Sequence, residues 1–243
     1  MLHSGSRNLG KQVADHYIFL AEQFNVKGGH IVPPSWELAY LPVDSDEGQA
    51  YLREMNFCLA FALANRQAML DRIGEILADK TPFTGFVETI NKNHNDAKLE
   101  EHFREMVWVH RKGATPANLG EKGIIPGSQG TTSYIVEGLG NEDSFRSCSH
   151  GAGRKMGRNQ AMKKLDLEAE IKLMDDQDIV HGIRNQEDLD EASGAYKDIS
   201  DVLNNEADLV KVLVELRTTA VLKGESQRRK KKKDAKQQDQ DAD

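Results

Sequence analysis

The sequence predicts an α+β fold, with helices packed against a mixed, mainly antiparallel sheet. Three observations carry that expectation. The first third of the chain holds two runs with apolar residues at three- and four-residue spacing, as amphipathic helices require. The middle holds short extended runs, rich in β-branched and aromatic residues, separated by glycine- and serine-rich turns. Shorter helical runs return between Lys155 and Asn205.

The first helix is predicted over Lys11 to Phe24, where Val13, Tyr17, Leu20, Ala21 and Phe24 share a face. Gly28-Gly29 and Pro33-Pro34 mark a loop, and Trp36 to Leu41 reads as a short extended segment. Asp44-Ser45-Asp46-Glu47 has N-cap chemistry with acids in the first turn. A long helix follows, from Gly48 to Ala78, with a stripe of Tyr51, Met55, Leu59, Ala62, Leu63, Met69, Ile73, Ile76 and Leu77; Cys58 falls beside it as a core residue. Thr81-Pro82 ends that helix. Met106 to His110 reads as a strand, Ile124 to Pro126 as an extended approach, and Tyr134 to Val136 as a second strand. Helices are predicted over Lys155 to Leu165, Leu167 to Met174 and Ile199 to Asn205, a short strand at Ile179-Val180, and one long strand or a strand pair over Leu209 to Leu222. From Glu225 the chain is low-complexity, with a wholly basic run from Arg228 to Lys233. It cannot bury a core and is expected to be disordered; its basic run serves either RNA contact or solubility.

The 243 residues suffice for one sizeable domain. At 29% charged residues against 38% hydrophobic, the composition is that of a soluble globular chain. No apolar run is long enough to span a bilayer, and no secretory segment follows Met1. Cys58 and Cys148 are far apart and suggest no disulfide framework, which fits a reducing cytoplasm. The net charge of −7 does not mark a nucleic-acid binder as a whole. Any RNA surface must be local, and Arg146, Arg154, Lys155, Arg158, Lys163 and Lys164 can supply one.

The stretch Gly127 to Arg158 carries the chemistry. Two hydroxyl-rich turns flank Tyr134-Ile135-Val136, and His150 is followed at once by Gly151-Ala152-Gly153-Arg154. A glycine turn opening a helix presents backbone N–H groups at the positive end of the dipole. Arg154 and Arg158 add charge. The pattern is that of a phosphate site beside an imidazole, which can act as nucleophile, metal ligand or proton shuttle. The bland alternative is a glycine turn with a surface histidine. His16, His30, His102 and His181 have no supporting pattern around them, and Cys148 reads as a small packing residue.

HGAGR-x-M-x-R after a GS-x-GT-x-SY turn resembles the signature of RtcB-type RNA-splicing ligases. HSGSRNLG at His3, an HN-x-AK-like motif at His94, HRKGAT at His110, an AYKDI motif at Tyr196 and a late Lys223-Gly224 follow the same family order. The resemblance covers Leu2 to Gly224, so the expected organisation is an RtcB-like catalytic portion over 1–224 and a charged tail over 225–243. The resemblance implies that His150 is the nucleophile guanylylated by GTP. It implies Ser128, Ser133, Tyr196 and Lys223 at the guanine, and Gly151, Ala152, Gly153 and Arg154 at the phosphates. It implies that His3 and His94 share one Mn²⁺, with a cysteine from the family's preceding half as third ligand. Asn65-Arg66 matches a family pair near the active site. Pro116, Gln129 and Gly157 depart from the family's usual arginine, methionine and serine. The implied substrate is RNA with a 3′-phosphate or 2′,3′-cyclic phosphate and a 5′-hydroxyl, such as tRNA halves, and no membrane partner is implied.

In the family the HSGSR motif lies mid-chain, whereas here it follows Met1-Leu2 directly. The expectation is a fragment, a late start, or a separate polypeptide supplying the N-terminal half. Two other readings stand beside the ligase: a non-catalytic remnant that binds guanine nucleotide or RNA, and a metal-dependent phosphohydrolase.

Overall fold

A computed structural model of the chain describes residues 1–29 and 32–224. His30 and the charged tail, for which expectations are given above, lie outside the described residues. The chain divides into two compact units, one of Met1–Leu99 with Trp108–His110, the other of Glu100–Val107 with the residues from Arg111 onward. Helices and antiparallel strands make up both, as an α+β fold requires.

In the first unit, α1 (Leu9–Lys27) starts without a side-chain cap from Asn8. Ser6 serves instead, its Oγ accepting from the Gly10 N–H at 2.8 Å. The long helix α2 (Asp46–Lys80) is capped by Ser45, whose side chain accepts from the Gly48 N–H, and Asp46 and Glu47 fill the first turn as the dipole favours. The two helices meet where Tyr17 donates to Glu54 at 2.9 Å and its ring lies 5.4 Å from that of Tyr51. Cys58 is buried, and burial pushes its thiol pKa up, as for an unreactive core cysteine. Phe57, Phe61, Leu63, Ile73 and Ile76 of α2 remain exposed.

The segment from Trp36 to Leu41 is not extended pairing structure. Pro34–Trp36 form a 3₁₀ turn, and the chain beyond is irregular. Its anchor is a side chain: the Asn25 amide donates to the Tyr40 carbonyl at 2.9 Å and accepts from the Tyr40 N–H at 3.1 Å. One buried amide thereby does what a neighbouring strand would do.

The hairpin of β1 (Asn95–His102) and β2 (Glu105–Lys112) turns through Phe103 and Arg104, both left-handed, the backbone that two-residue hairpin loops demand. In the second unit, β3 (Ala114–Pro116) pairs antiparallel with β6 (Ser147–Ser149), Thr115 opposite Cys148. A three-stranded antiparallel sheet runs β4 (Lys122–Ile125), β5 (Ser133–Gly138), β7 (Val210–Leu216), with a register shift at Ile135/Val136. The predicted strand or strand pair over Leu209 to Leu222 is thus one strand, followed by a parallel bridge between Ala220 and Val180.

Two cores hold this unit. Ile125, Val136, Cys148, Ala152 and Val210, with Ile199 of α5 (Ile199–Asn205), form one. Ile179, Ile183, Leu189 and Ala192, with Met174 of α4 (Leu167–Asp175), form the other. Each fully buried Leu or Ile contributes roughly 1.5–3 kcal/mol.

The helix predicted from Lys155 begins later, as α3 (Arg158–Lys164) with Gly157 at its N-cap. The cause is local competition. The N–H groups of Lys155 and Met156 both donate to the Ala195 carbonyl, and Arg154 bridges Tyr196. The glycine turn therefore does not open the helix, and its backbone N–H groups do not lie at a helix terminus.

Candidate active site

His150 follows β6 directly, at the point where the β3–β6 pairing ends. Its ring is fixed by the chain's own backbone: Nδ1 lies 2.6 Å from the Gly113 carbonyl oxygen. A carbonyl only accepts, so Nδ1 carries the proton, and the lone pair of the neutral ring sits on Nε2. Gly113 has φ +69, and a Cβ there would lie 3.3 Å from His150 Cε1 and 3.4 Å from Nδ1. Both the left-handed backbone and the close approach of the ring therefore favour glycine.

The turn after His150 is tied down from within. Ala152 is buried and donates its N–H to the Pro126 carbonyl at 2.9 Å. A Cβ on Gly151 would meet the same carbonyl at 3.0 Å. Gly153, at φ +71, accepts from the Lys197 N–H at 3.0 Å. A cavity of about 550 Å³ opens beside His150, lined also by Gly113, Lys197, Asp201, Asn205 and Glu206.

The expected guanine-side residues form a connected corner. Ser128 belongs to a turn in which its N–H donates to Thr131 Oγ1 at 2.6 Å. Buried Ser133 accepts from the Gly127 N–H at 3.2 Å. The same turn reaches across to the segment before Tyr196, where Gln129 Nε2 donates to the Glu191 carbonyl and the Gly130 N–H to Ser193 Oγ. Tyr196 donates its phenol proton to the Glu191 carboxylate. Burial and that carboxylate push the phenol pKa up to about 12. Burial works against the Glu191 carboxylate, but hydrogen bonds from Tyr196 and Arg158 outweigh it and hold its pKa below the ordinary range. Lys223 Nζ pairs with Asp190 at 2.9 Å.

Arg154 departs from the simple expectation of a phosphate-facing cation. Its guanidinium donates to the Met156 and Asp190 carbonyls and to the Tyr196 hydroxyl, pairs with Glu191 at 3.3 Å, and lies over the Tyr196 ring. It braces the tyrosine and the turn together.

In the other unit, His3 and His94 meet. Their Nε2 atoms are 3.2 Å apart with the rings edge-on. Two nitrogens held about 2.0–2.2 Å from one ion with open angles lie at a comparable separation, so the pair fits a shared cation. Among the described residues no third His, Cys, Asp or Glu completes such a group. Asn65 and Arg66 hold the loop that carries His3: Asn65 donates to Ser4 Oγ and the Gly5 carbonyl, Arg66 to the Ser4 carbonyl, Asn91 and Asn93. The Asn-Arg pair thus braces the segments carrying both histidines. His110 is bonded to Tyr51 at 2.9 Å, and burial lowers its pKa against the raising effect of Asp96.

Two histidines dismissed on pattern alone have defined partners. His102 is buried between Glu100 and Glu142, and Arg111 forks onto Glu100. His181 pairs with Asp175 and accepts from the Ile183 N–H. Neither contact joins the His150 cavity. The residues that sequence reasoning missed are the Gly113 carbonyl, Glu191 and Glu206. Gly113 and Glu191 sat inside motifs already singled out; Glu206 had no signal.

Comparison with known proteins gives the family. Residues 1–224 match the family described as tRNA-splicing ligase RtcB. The chain is similar to the RNA-splicing ligase RtcB of Escherichia coli K12, 40% identical over 230 residues, covering 92% of this chain and 55% of the relative. It is similar to the tRNA-splicing ligase RtcB of Nanoarchaeum equitans, 37% identical over 251 residues and 92% of this chain, 52% of the relative. For the RNA-splicing ligase RtcB of Mycobacterium tuberculosis the figures are 36% over 221 residues, 84% and 51%. The chain spans about half the length of these curated relatives. With His150, the serine turn and the AYKDI tyrosine gathered in one unit and the two motif histidines paired in the other, this chain belongs to the RtcB family of RNA-splicing ligases.

Proposed function

We propose that this chain carries the nucleotidyl-transfer part of an RNA ligase that joins a 3′-phosphate or 2′,3′-cyclic phosphate end to a 5′-hydroxyl end. One observation supports the reading above others: the Nδ1 contact to the Gly113 carbonyl at 2.6 Å, which directs the imidazole lone pair to Nε2. Nε2 attacks the α-phosphorus of GTP. An N–P bond forms, the P–O bond to pyrophosphate breaks, and the positive charge gained by the ring is shared with the Gly113 carbonyl through Nδ1–H. A cyclic end is first opened by water to the 3′-phosphate. An oxygen of that 3′-phosphate then displaces His150 from phosphorus, giving an RNA capped by GMP and returning the neutral ring. The 5′-hydroxyl attacks the RNA phosphate, loses its proton, and GMP departs as the phosphodiester forms.

The serine turn and the Tyr196–Glu191–Arg154 corner are suited to hold the purine, with the Tyr196 phenol kept protonated as a donor. Lys223, reached through Asp190, supplies a cation for the guanine carbonyl. His3 and His94 would hold a divalent ion, Mn²⁺ by resemblance, whose contribution is Lewis acidity toward phosphate oxygens. The remaining ligand would come from the part of the family polypeptide that this chain does not span, on the same or a separate chain. The exposed apolar face of α2 is consistent with such a companion.

The test is labelling with GTP carrying radioactive α-phosphate and Mn²⁺, with and without the family's N-terminal half, beside His150→Ala. Acid-labile label on the wild type and none on the variant supports the proposal. Absence of label under both conditions overturns it and leaves a nucleotide- or RNA-binding remnant. Phosphate release from simple esters without GTP would instead favour the phosphohydrolase.

A further inference from the structure

We propose that Glu206 is a positioning residue for His150: its carboxylate, at the end of α5, grips Ser149 by both the backbone N–H and the hydroxyl. The Ser149 N–H donates at 2.8 Å to one oxygen and Ser149 Oγ at 3.0 Å to the other. No other acidic side chain takes both donors of a residue adjoining His150 among the described residues.

The need for such a clamp follows from β6. It is three residues long and pairs on one side only, with β3. Its last inter-strand contact, from the His150 N–H to the Gly113 carbonyl, is long at 3.4 Å. A strand end held so weakly on one edge frays unless its outward donors find a partner. Glu206 takes the place of the missing neighbour strand, and hydrogen bonds to a carboxylate are stronger than neutral ones. Glu206 is itself anchored. Its backbone carbonyl accepts from the N–H groups of Leu209 and Val210 at the start of β7, at 2.9 and 3.1 Å. The clamp therefore links the β4–β5–β7 sheet to the residue before His150. Glu206 and His150 line the same cavity, yet both Glu206 oxygens are occupied by Ser149. That suits a group that orients the strand end and not one that takes a proton from substrate.

The activity arm of the test rests on the guanylylation reading; the spectroscopic arm does not. Glu206→Ala leaves two donors without their acceptor and lets the ring drift. A displacement of about 1 Å can cost on the order of 100-fold in rate. Glu206→Gln keeps the shape: its carbonyl accepts from the Ser149 N–H and its amide donates to Ser149 Oγ. The expected result in guanylylation, with the N-terminal half present if the wild type needs it, is a kcat about 100-fold lower for Glu206→Ala, KM for GTP within threefold, and recovery of most of the rate in Glu206→Gln. A rise in KM at unchanged kcat, or a glutamine variant as slow as the alanine, overturns the proposal. The second arm labels histidines with ¹⁵N and assigns His150 by its loss in His150→Ala. The wild type shows a single Nδ1–H tautomer, Glu206→Ala a mixture, and Glu206→Gln the wild-type pattern; an unchanged spectrum in Glu206→Ala overturns the proposal even if no variant reacts with GTP. Should Glu206→Ala fail to fold, Ser149→Ala removes only the hydroxyl arm and is read the same way, with a partial mixture expected and a pure Nδ1–H tautomer refuting it.

Discussion

Replacing Gly113 by alanine separates backbone strain from contact with His150, because the chain contains its own control. Gly113 and Gly120 share nearly the same left-handed backbone, φ +69 and +76. A Cβ on Gly120 meets nothing within 4 Å, whereas one on Gly113 comes within 3.3 Å of the His150 ring. Forcing an L side chain into that conformation costs about 1–2 kcal/mol at either site. Gly113→Ala must also move the imidazole by a few tenths of an ångström and weaken its bond to the carbonyl, which adds about 1 kcal/mol. The prediction for urea unfolding is thus a loss of about 1–2 kcal/mol for Gly120→Ala and about 2–3 kcal/mol for Gly113→Ala. Ring ¹⁵N spectra should show the Nδ1–H tautomer intact in Gly120→Ala and disturbed in Gly113→Ala. Guanylylation should fall only in the latter. If the two variants match in stability, tautomer and rate, the Gly113 carbonyl does not set the ring and the argument for Nε2 as the reactive atom fails.

Further outcomes follow from the charged and polar contacts. Hydrogen bonds from Arg111, aided by His102 and opposed by burial, hold the Glu100 carboxyl down to about 2, so its contribution is complete above the ordinary carboxyl range near 4.3 and is lost as pH falls through about 2. Glu100→Gln should therefore lower stability by up to about 3 kcal/mol at pH 7 and progressively less on acidification, read by urea unfolding at each pH. Calorimetry should find Co²⁺ or Mn²⁺ bound by the wild-type chain and not by His94→Ala; identical heats for both proteins would remove His94 from the proposed cation site. Glu191→Gln should bring the Tyr196 phenol down from about 12 toward its ordinary value, seen as phenolate absorbance at lower pH and absent from Tyr196→Phe.

What the sequence made legible was chemistry held within a few consecutive residues. His150 with its glycines, the serine turn and the AYKDI tyrosine each sit in one short stretch, so their types and spacing survive reading in one dimension. Helices α1 and α2 were legible for the same reason, but the apolar stripe read along α2 is buried only around Met55, Cys58 and Ala62, while Leu63, Met69, Ile73 and Ile76 stay exposed. What escaped was tertiary. β1 is a charged run with little β propensity, and it is a strand because β2 lies beside it. The extended reading of Trp36 to Leu41 failed because the buried Asn25 amide, not a strand, satisfies Tyr40. Lys155 and Met156 stay out of α3 because the Ala195 carbonyl, forty residues downstream, captures their amides. Glu206 shows the limit most plainly: its neighbours Asn205 and Ala207 give it no distinction, and its meaning lies wholly in a serine elsewhere in the chain.

The pairing of β5 with β7 has a consequence for biosynthesis. Residues 133–138 are synthesised before the whole His150 region, yet their second neighbour is residues 210–216. Such distant pairing is slow to close, since the intervening loop must be ordered before any contact rewards it. During synthesis from the N-terminus, the β3–β6 ladder and the glycine turn can emerge first, and Glu206, β7 and Lys223 follow only after them. A chain that has not yet reached residue 206 therefore holds His150 without Glu206, without the β5–β7 pairing and without the Lys223–Asp190 contact. The contacts around His150 are therefore completed only after residues 206–223 have been made, long after His150 itself.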